Sequence, residues 1–545
     1  MPNQLVDIHC HTSMRPFLNN ENENYIFEGF TFKPADNLYA QLQKVIQNLA
    51  HISLKMQSSF DDLYAGGIRV ANISISPMEI GFGLMNNDWK HFINDYLKIG
   101  KFKLWNEKNN NVIAPELINA ITGFGITELQ KITDSRRGVQ GMHHYYDDYF
   151  VHELKWLLSF DNEESLDKKY KVCFPKNGAE LRENLKNKKL LNLLISVEGA
   201  HAFMPIPPKQ HVLNGQKKKH TRVNNDPYLL REVSRSIQNL KQMHNVPVTF
   251  VSICHHFWNG LSGHSRSLAK LIGSIVNQNE GINTGLNING KKVIEDLART
   301  DYGDGKSYKP ILVDIKHLSP KARIDYYAFR KGHAQLKHLP IVCSHTGICV
   351  YYDSLREWKD DVDFSGDKDE KGKCYLHEEA INLCREDLLE IYNSKGLIGI
   401  QLDEKRIMGD LAQKEIKSSR TKAKRKEAYA KTVWANIFAG LSALEEAGVT
   451  DLKQAWNLFC IGSDYDGLIN HFDDFETAAD FNDIAITMEK VIARNNLTFE
   501  LCTANGHKKI ISSQKVIDLK CGMANKTLVK KVFSSNAVDF FVEHL

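Results

Sequence analysis

Residues 309–347 read KPILVDIKHLSPKARIDYYAFRKGHAQLKHLPIVCSHTG, and the two apolar runs in them, ILVDIK and LPIVCS, run out onto His317 and His345. Short runs rich in Ile, Val and Leu, separated by a polar stretch of crossover length, are the pattern of parallel strands covered on both faces. Both histidines then leave the sheet at its C-terminal edge. In a closed β/α barrel that edge is where the chemistry is built.

Six further runs repeat the arrangement. Leu5–Ile8 delivers His9-Cys10-His11, two imidazoles on one side of an extended segment. AGGIRVANISIS (65–76) follows a Gly-Gly turn, LLNLLISVEGAHAF (190–203) ends on Glu198-Gly199, and VPVTFVSICHHFWN (246–259) ends on His255-His256. LIGIQL (397–402) and LKQAWNLFCIGSDYDG (452–467) complete the series, the last ending at Asp464. Helical sequence lies between them, as in GAELRENLKNKK and INLCREDLLEIYNSKG. Eight strands, each followed by helix, predict the α/β class and one (β/α)8 TIM-like barrel over residues 1–545. Two stretches read as insertions: 78–176, helical and irregular with no clear strand, forming a lid or an oligomer contact, and 400–450, an extended helical addition. Residues 204–226 and 359–374 read as surface loops. The basic run 414–426 reads as a solvated helix face.

A net charge of +4 with 25% charged residues gives no reason to expect a nucleic-acid partner, and Lys217-Lys218-Lys219 lacks interleaved aromatics. The ten cysteines show no paired spacing, and Cys10, Cys254 and Cys343 stand beside strand-end histidines, so a reducing, cytoplasmic setting is expected. The N-terminus has no basic region followed by an apolar run, and no stretch approaches the ~20 apolar residues of a membrane span. No membrane association is expected.

His9, His11, Glu198, His255, His317, His345 and Asp464 thus collect at one rim. One strand-end histidine is more often a hydrogen-bonded structural residue than a ligand; seven such groups at the ends of apolar strands form a two-metal inventory. Imidazole with carboxylate suits Zn²⁺ or a similar divalent ion, and two ions about 3.5–4 Å apart need a bridging anion, for which Glu198 is the best candidate. Water shared by such ions has its pKa lowered toward about 7 and becomes a hydroxide nucleophile.

In this order, DIHCHTS, AGGIRVANIS, SVEGAHAF, ICHHFWN, VDIKHLS, VCSHTG, the INLCREDLLEIYNSKGLIGI block and GSDYDG resemble the amidohydrolase superfamily, and within it the renal or membrane dipeptidase family of zinc peptidases. The resemblance implies a barrel of the metal-dependent hydrolase type that cleaves the amide bond of dipeptides. It makes His9 and His11 ligands of one metal, His317 and His345 ligands of the other, and Glu198 the bridge. Asp464 becomes the proton shuttle, with Asp466 its close competitor; His255 contacts the oxyanion of the tetrahedral intermediate; and Arg356 binds the substrate carboxylate. His201, His256 and His264 would orient these groups. Barrel relatives pair through insertions, which implies a homo-oligomer.

Two departures matter. The family's usual aspartate is His11 here, which leaves the site about one unit more positive and opens a shifted metal preference. The additions at 78–176, 204–226 and 400–450 exceed the family core, and rim loops set substrate size. A lactone, cyclic amide or phosphoester hydrolase on the same barrel is therefore an alternative, as are a non-catalytic metal-binding scaffold and a binding module for a partner.

Overall fold

Each of the eight apolar runs is a strand in the computed structural model, which describes residues 4–32, 53–83, 144–206, 227–243, 247–268, 278–358, 374–503 and 508–545, with parts of 118–131 and residue 276. In chain order the strands are β1 (Leu5–Cys10), β2 (Ile68–Ile75), β3 (Lys171–Cys173), β4 (Leu190–Val197), β5 (Val248–Ser252), β6 (Leu312–Asp314), β7 (Val342–Thr346), β8 (Leu397–Ile400) and β9 (Phe459–Ile461). Eight of them pair in the order β1-β2-β4-β5-β6-β7-β8-β9, every pair parallel. The ring closes between the C-terminal end of β1 and the segment that follows β9. Asp464 donates its N–H to the His9 carbonyl at 2.9 Å and His11 donates to the Tyr465 carbonyl at 2.8 Å. The chain is a (β/α)8 barrel.

Alternation along the strands sorts their side chains into two cores. Val6, Ile8, Val70, Leu194, Phe250, Leu312, Val342, Leu397 and Cys460 fill the barrel. Their odd-numbered or even-numbered neighbours, Val313, Ile315 and Cys343 among them, face the helices. The C-terminal helix Asn536–His544 closes the floor: Phe540 and Phe541 join the inner core, and Asn536 donates to the carbonyls of Trp456 and Phe459 at 2.7 and 2.8 Å. Burying each of these rings stabilises the docked helix by roughly 1.5–3 kcal/mol.

Three features go beyond the sequence reading. Residues 78–176 do contain a strand, since β3 pairs in parallel with the first residues of β4; three residues are too few to show a period. The described end of that segment packs into the core, with Phe150 on Phe203, Trp156 on Phe17, and Glu153 accepting from Ser13 Oγ at 2.6 Å. The 400–450 stretch includes the barrel's own crossover, helix Lys422–Glu446 between β8 and β9, buried almost continuously from Ala428 to Leu444 and tied to helix Phe481–Ala493 by Trp434 Nε1 on the Met488 carbonyl at 2.9 Å. Finally, Cys374 and Cys502, 128 residues apart, are joined in a disulfide with a Cα–Cα distance of 5.4 Å. A pair so distant leaves no spacing pattern, so the unpaired look of the cysteines carries no information about compartment.

The loops expected at 204–226 and 359–374, the rest of 78–176 and Lys217-Lys218-Lys219 fall mainly outside the described residues. The basic stretch 414–426 is largely exposed, with Arg425 paired to Asp474. Among the described residues no helix is long and apolar enough to cross a membrane.

Candidate metal centre

Strand geometry alone would misdirect several of the rim histidines. Ile8 and Val342 face the barrel interior, so strict alternation would turn His9 and His345 outward. Register shifts between Asp7 and Cys10 on β1, and between Cys343 and Thr346 on β7, re-aim them, as irregularities beside functional sites commonly do. His317 takes a left-handed φ of 70° and Asp464 one of 63°, conformations that non-glycine residues hold only where their surroundings enforce them. Gly199, after the Glu198 strand, has φ 92°, and a Cβ there would lie 2.3 Å from His201 Nδ1. The glycine in SVEGAHA is thus a packing requirement.

The result is one buried carboxylate ringed by imidazoles. Glu198 stands 2.9 Å from His317 Nε2, 3.1 Å from His11 Nε2, 3.5 Å from both His255 Nε2 and His345 Nε2, and 3.8 Å from His9 Nε2. Asp464 lies opposite, 3.4 Å from His11 Nε2, 3.7 Å from His9 Nε2 and 3.8 Å from His345 Nε2. The Nε2 atoms of His9 and His11 are 3.2 Å apart. All seven sequence-derived rim groups meet here.

Burial dominates their protonation. It pushes His9 down to about 3 and His317 to about 4, and holds His345 and His255 well below the ordinary imidazole range. His11 is the exception: burial would lower it, but hydrogen bonds to Asp464 and Glu198 raise it to about 10. Burial likewise lifts Asp464 to about 6 against the pull of His11. For Glu198 burial acts upward, yet the surrounding His255, His11 and His317 hold it well below the usual carboxylate range. Neutral imidazoles around an ionised carboxylate are the form in which such groups bind cations.

The donor set fits divalent metal. His9, His11 and Glu198 converge within 4.8 Å, as do Glu198, His317 and His345, with Glu198 common to both; His9, His345 and Asp464 form a third such group. The buried Nδ1 atoms of His9, His11 and His317 have no hydrogen-bond partner among the described residues, so their tautomers are left to whatever Nε2 meets. His345 Nδ1 and His255 Nδ1 are held by Ser344 Oγ at 2.9 Å and Ser76 Oγ at 3.3 Å.

Other candidates separate clearly. Asp466 is spent on structure, accepting from Gln57 N, Ser58 N and Ser58 Oγ at 3.0, 2.9 and 2.7 Å with Arg15 Nε at 3.5 Å. Asp464 therefore faces the ring and Asp466 does not. His201 binds the Pro77 carbonyl at 2.7 Å, His256 stacks on His255 with ring centroids 3.6 Å apart, and His264 is tied to the carbonyls of Ser265 and Glu280. Arg356 is exposed on the single turn Leu355–Glu357, where its backbone N–H donates to Ser354 Oγ.

Four residues at the site escaped the sequence reading. Glu79 accepts the N–H groups of His256 and Phe257 at 3.0 and 3.2 Å and fixes the turn carrying His255. Gln401 donates to Asp464 Oδ2 at 2.6 Å. Lys316 is buried beside His317, and Arg406 is buried between Glu379 and the Ser267 carbonyl. Gln401 and Lys316 lie at strand ends like the ligands, a signal that was available; Glu79 and Arg406 are in connecting segments and offered none.

No family model matches the chain. No curated protein matches it either. The solved structures it is similar to include metallopeptidases and an amidohydrolase. A Rhodobacter sphaeroides metallopeptidase liganded with a phosphinate mimic of the dipeptide L-Ala-D-Ala is 12% identical, with a TM-score of 0.45 and 99% of each chain covered. The metallopeptidase dipeptidase AC is 12% identical, at 0.47, covering 99% of this chain and 98% of its own. An amidohydrolase from Pseudomonas aeruginosa is 13% identical, at 0.39, covering 92% and 98%. At these values none of the three bears on what this chain binds or cleaves.

Proposed function

We propose that the chain is a metal-dependent hydrolase that cleaves the amide bond of small substrates, dipeptides in the first instance, with two divalent ions, zinc foremost. The observation that carries this reading is the single buried Glu198 carboxylate in reach of five imidazoles. His9 and His11 would hold one ion, His317 and His345 the other, and Glu198 both. When bound, the ions supply Lewis acidity toward the scissile carbonyl and a lowered pKa for water.

Proton movement falls to the chain's own residues. Gln401 anchors Asp464 Oδ2 and leaves Oδ1 turned to the ring. Asp464 would take a proton as water adds to the carbonyl and return it to the leaving amine, general base then general acid. In the metal-free ring burial raises its pKa to about 6. His255, neutral and with Ser76 Oγ on its Nδ1, has Nε2 available to hydrogen-bond the oxygen that becomes anionic.

The test is amino-acid release from a panel of L,L- and L,D-dipeptides by zinc-reconstituted protein, beside a chelated sample and Asp464→Asn. Release should need metal and fall by about 10²–10⁴ in kcat in the variant. Fully metal-loaded protein that cuts no dipeptide would end the dipeptide assignment and bring lactones, cyclic amides and phosphoesters forward. The exposure of Arg356 favours testing these substrates, which have less need of a carboxylate-binding cation.

A further inference from the structure

The disulfide between Cys374 and Cys502 joins two segments that are already held in place without it. Cys502 ends β10 (Phe499–Cys502), which pairs antiparallel with β11 (Lys508–Ile511). Tyr375 donates its N–H to the Glu500 carbonyl at 2.9 Å, and its ring lies on Phe499 with centroids 5.6 Å apart. On the other side, Leu411 N and Gly409 N donate to the carbonyls of Cys374 and Tyr375, each at 2.9 Å. Backbone bonds thus fix where the two sulfurs stand, independently of the bond between them.

A carboxylate joins them. Glu378, four residues beyond Cys374, places Oε1 2.8 Å from Cys374 Sγ, and the two sulfurs and a Glu378 oxygen all lie within 4.8 Å of one another. A disulfide sulfur carries no proton, so it cannot donate to that oxygen. Reduction changes the chemistry. A dithiol supplies two electrons and two protons, closes to its own disulfide, and leaves Cys374 and Cys502 as thiols. A divalent ion that displaces both thiol protons then meets two thiolates and a carboxylate, three anions that repel one another until a cation sits between them. Thiolate pairs select Zn²⁺ among the common divalent ions, with Zn–S of about 2.3 Å and Zn–O of about 2.0–2.2 Å. Cys374 and Glu378 are half-buried, so reductant and ion can both reach them.

We infer that Cys374, Cys502 and Glu378 form a second metal site, one that takes Zn²⁺ when the disulfide is reduced. It shares no residue with the ring of imidazoles and does not depend on the hydrolase reading. The ion takes over from the sulfur bridge as the tie between β10 and the segment after Cys374, so that the hairpin stays fastened in either redox state.

Cobalt(II) is the probe, because the ring offers it nitrogen and oxygen whereas this site offers sulfur, and thiolate ligands give a charge-transfer band in the near ultraviolet. Wild type is reduced with dithiothreitol, desalted without air and titrated beside untreated protein. The reduced form should bind one more Co²⁺ and show the band, and Zn²⁺ should bleach it. Cys374→Ser and Cys502→Ser, checked for folding by circular dichroism, should lose the extra ion and the band. Glu378→Gln should keep the band but bind cobalt more weakly, by at least the roughly tenfold that losing an outer partner of a ligand costs. Reduced wild type that takes up no further ion, or a band that survives in either folded serine variant, overturns the site. Unchanged affinity in Glu378→Gln removes the carboxylate and overturns the three-ligand assignment. A band of full height in untreated protein overturns the dependence on reduction.

Discussion

At the scale of single residues, the ring turns on the contrast between Glu198 and His11. Glu198 is the acceptor common to the group with His9 and His11 and the group with His317 and His345, so Glu198→Gln, which keeps the shape and removes the charge, should weaken these two at once. Elemental analysis after dialysis should find metal lost by more than the 10–100-fold in affinity that partners of a ligand typically carry. His11, held at about 10 by Asp464 and Glu198, is protonated in metal-free protein at neutral pH. A metal can bind it only as that proton leaves. Zinc titrations in buffers of differing ionisation enthalpy at pH 8 should therefore show about one proton released from this ring, and zinc affinity should rise about tenfold per pH unit until about pH 10. Affinity that does not change with pH would mean that His11 is not a ligand.

At the scale of elements, the helices after β6 and β7 are fastened to each other beneath the ring. In helix Pro320–Gly332, Arg323 bonds Asp387 of helix Arg385–Asn393 at 2.7 Å and the carbonyls of Asn382 and Ala380 at 3.2 and 2.5 Å, while Tyr327 meets the other Asp387 oxygen at 2.7 Å. Asn382 in turn accepts from Gly347 N, two residues after His345. Removing one member of a buried pair strands the other charge, so Arg323→Met should cost about 3–5 kcal/mol in urea denaturation. Part of that loss should be recovered when Asp387→Asn is combined with it. This fastening explains why INLCRED belongs with the rim motifs: its Asn382 and Asp387 hold the loop that carries His345.

For the whole molecule, buried carboxyl groups make stability depend on pH in an uncommon direction. Burial raises Glu79 from 4.5 to about 8 despite its two backbone hydrogen bonds. Between those values the folded state binds more protons than the unfolded one, so the Glu79 contribution to stability declines as pH rises through that window and is constant outside it. Compared with Glu79→Gln, which does not titrate, metal-free wild type should lose about 1.4 kcal/mol for each pH unit crossed from about 4.5 to 8. Urea midpoints of the two proteins at pH 5 and pH 8 give the comparison, and a constant difference would place Glu79 at an ordinary carboxylate pKa.

The sequence by itself determined the eight barrel strands and the seven rim groups. Each strand falls in a mainly apolar run, and each group stands at or near the end of its run, so a local pattern carries the information. What only the tertiary structure decided is which polar groups remain free. Asp464 and Asp466 look alike in GSDYDG, and they part only because Gln57, Ser58 and Arg15, some 400 residues away in sequence, use up Asp466. Arg356 is exposed and Lys316 buried without a partner, a difference set by folding and not by residue type. β3, the Cys374–Cys502 bond and the crossover role of Lys422–Glu446 belong to the same class. Periodicity is a property of neighbours along the chain, whereas hydrogen-bond saturation depends on partners that only the closed barrel brings together.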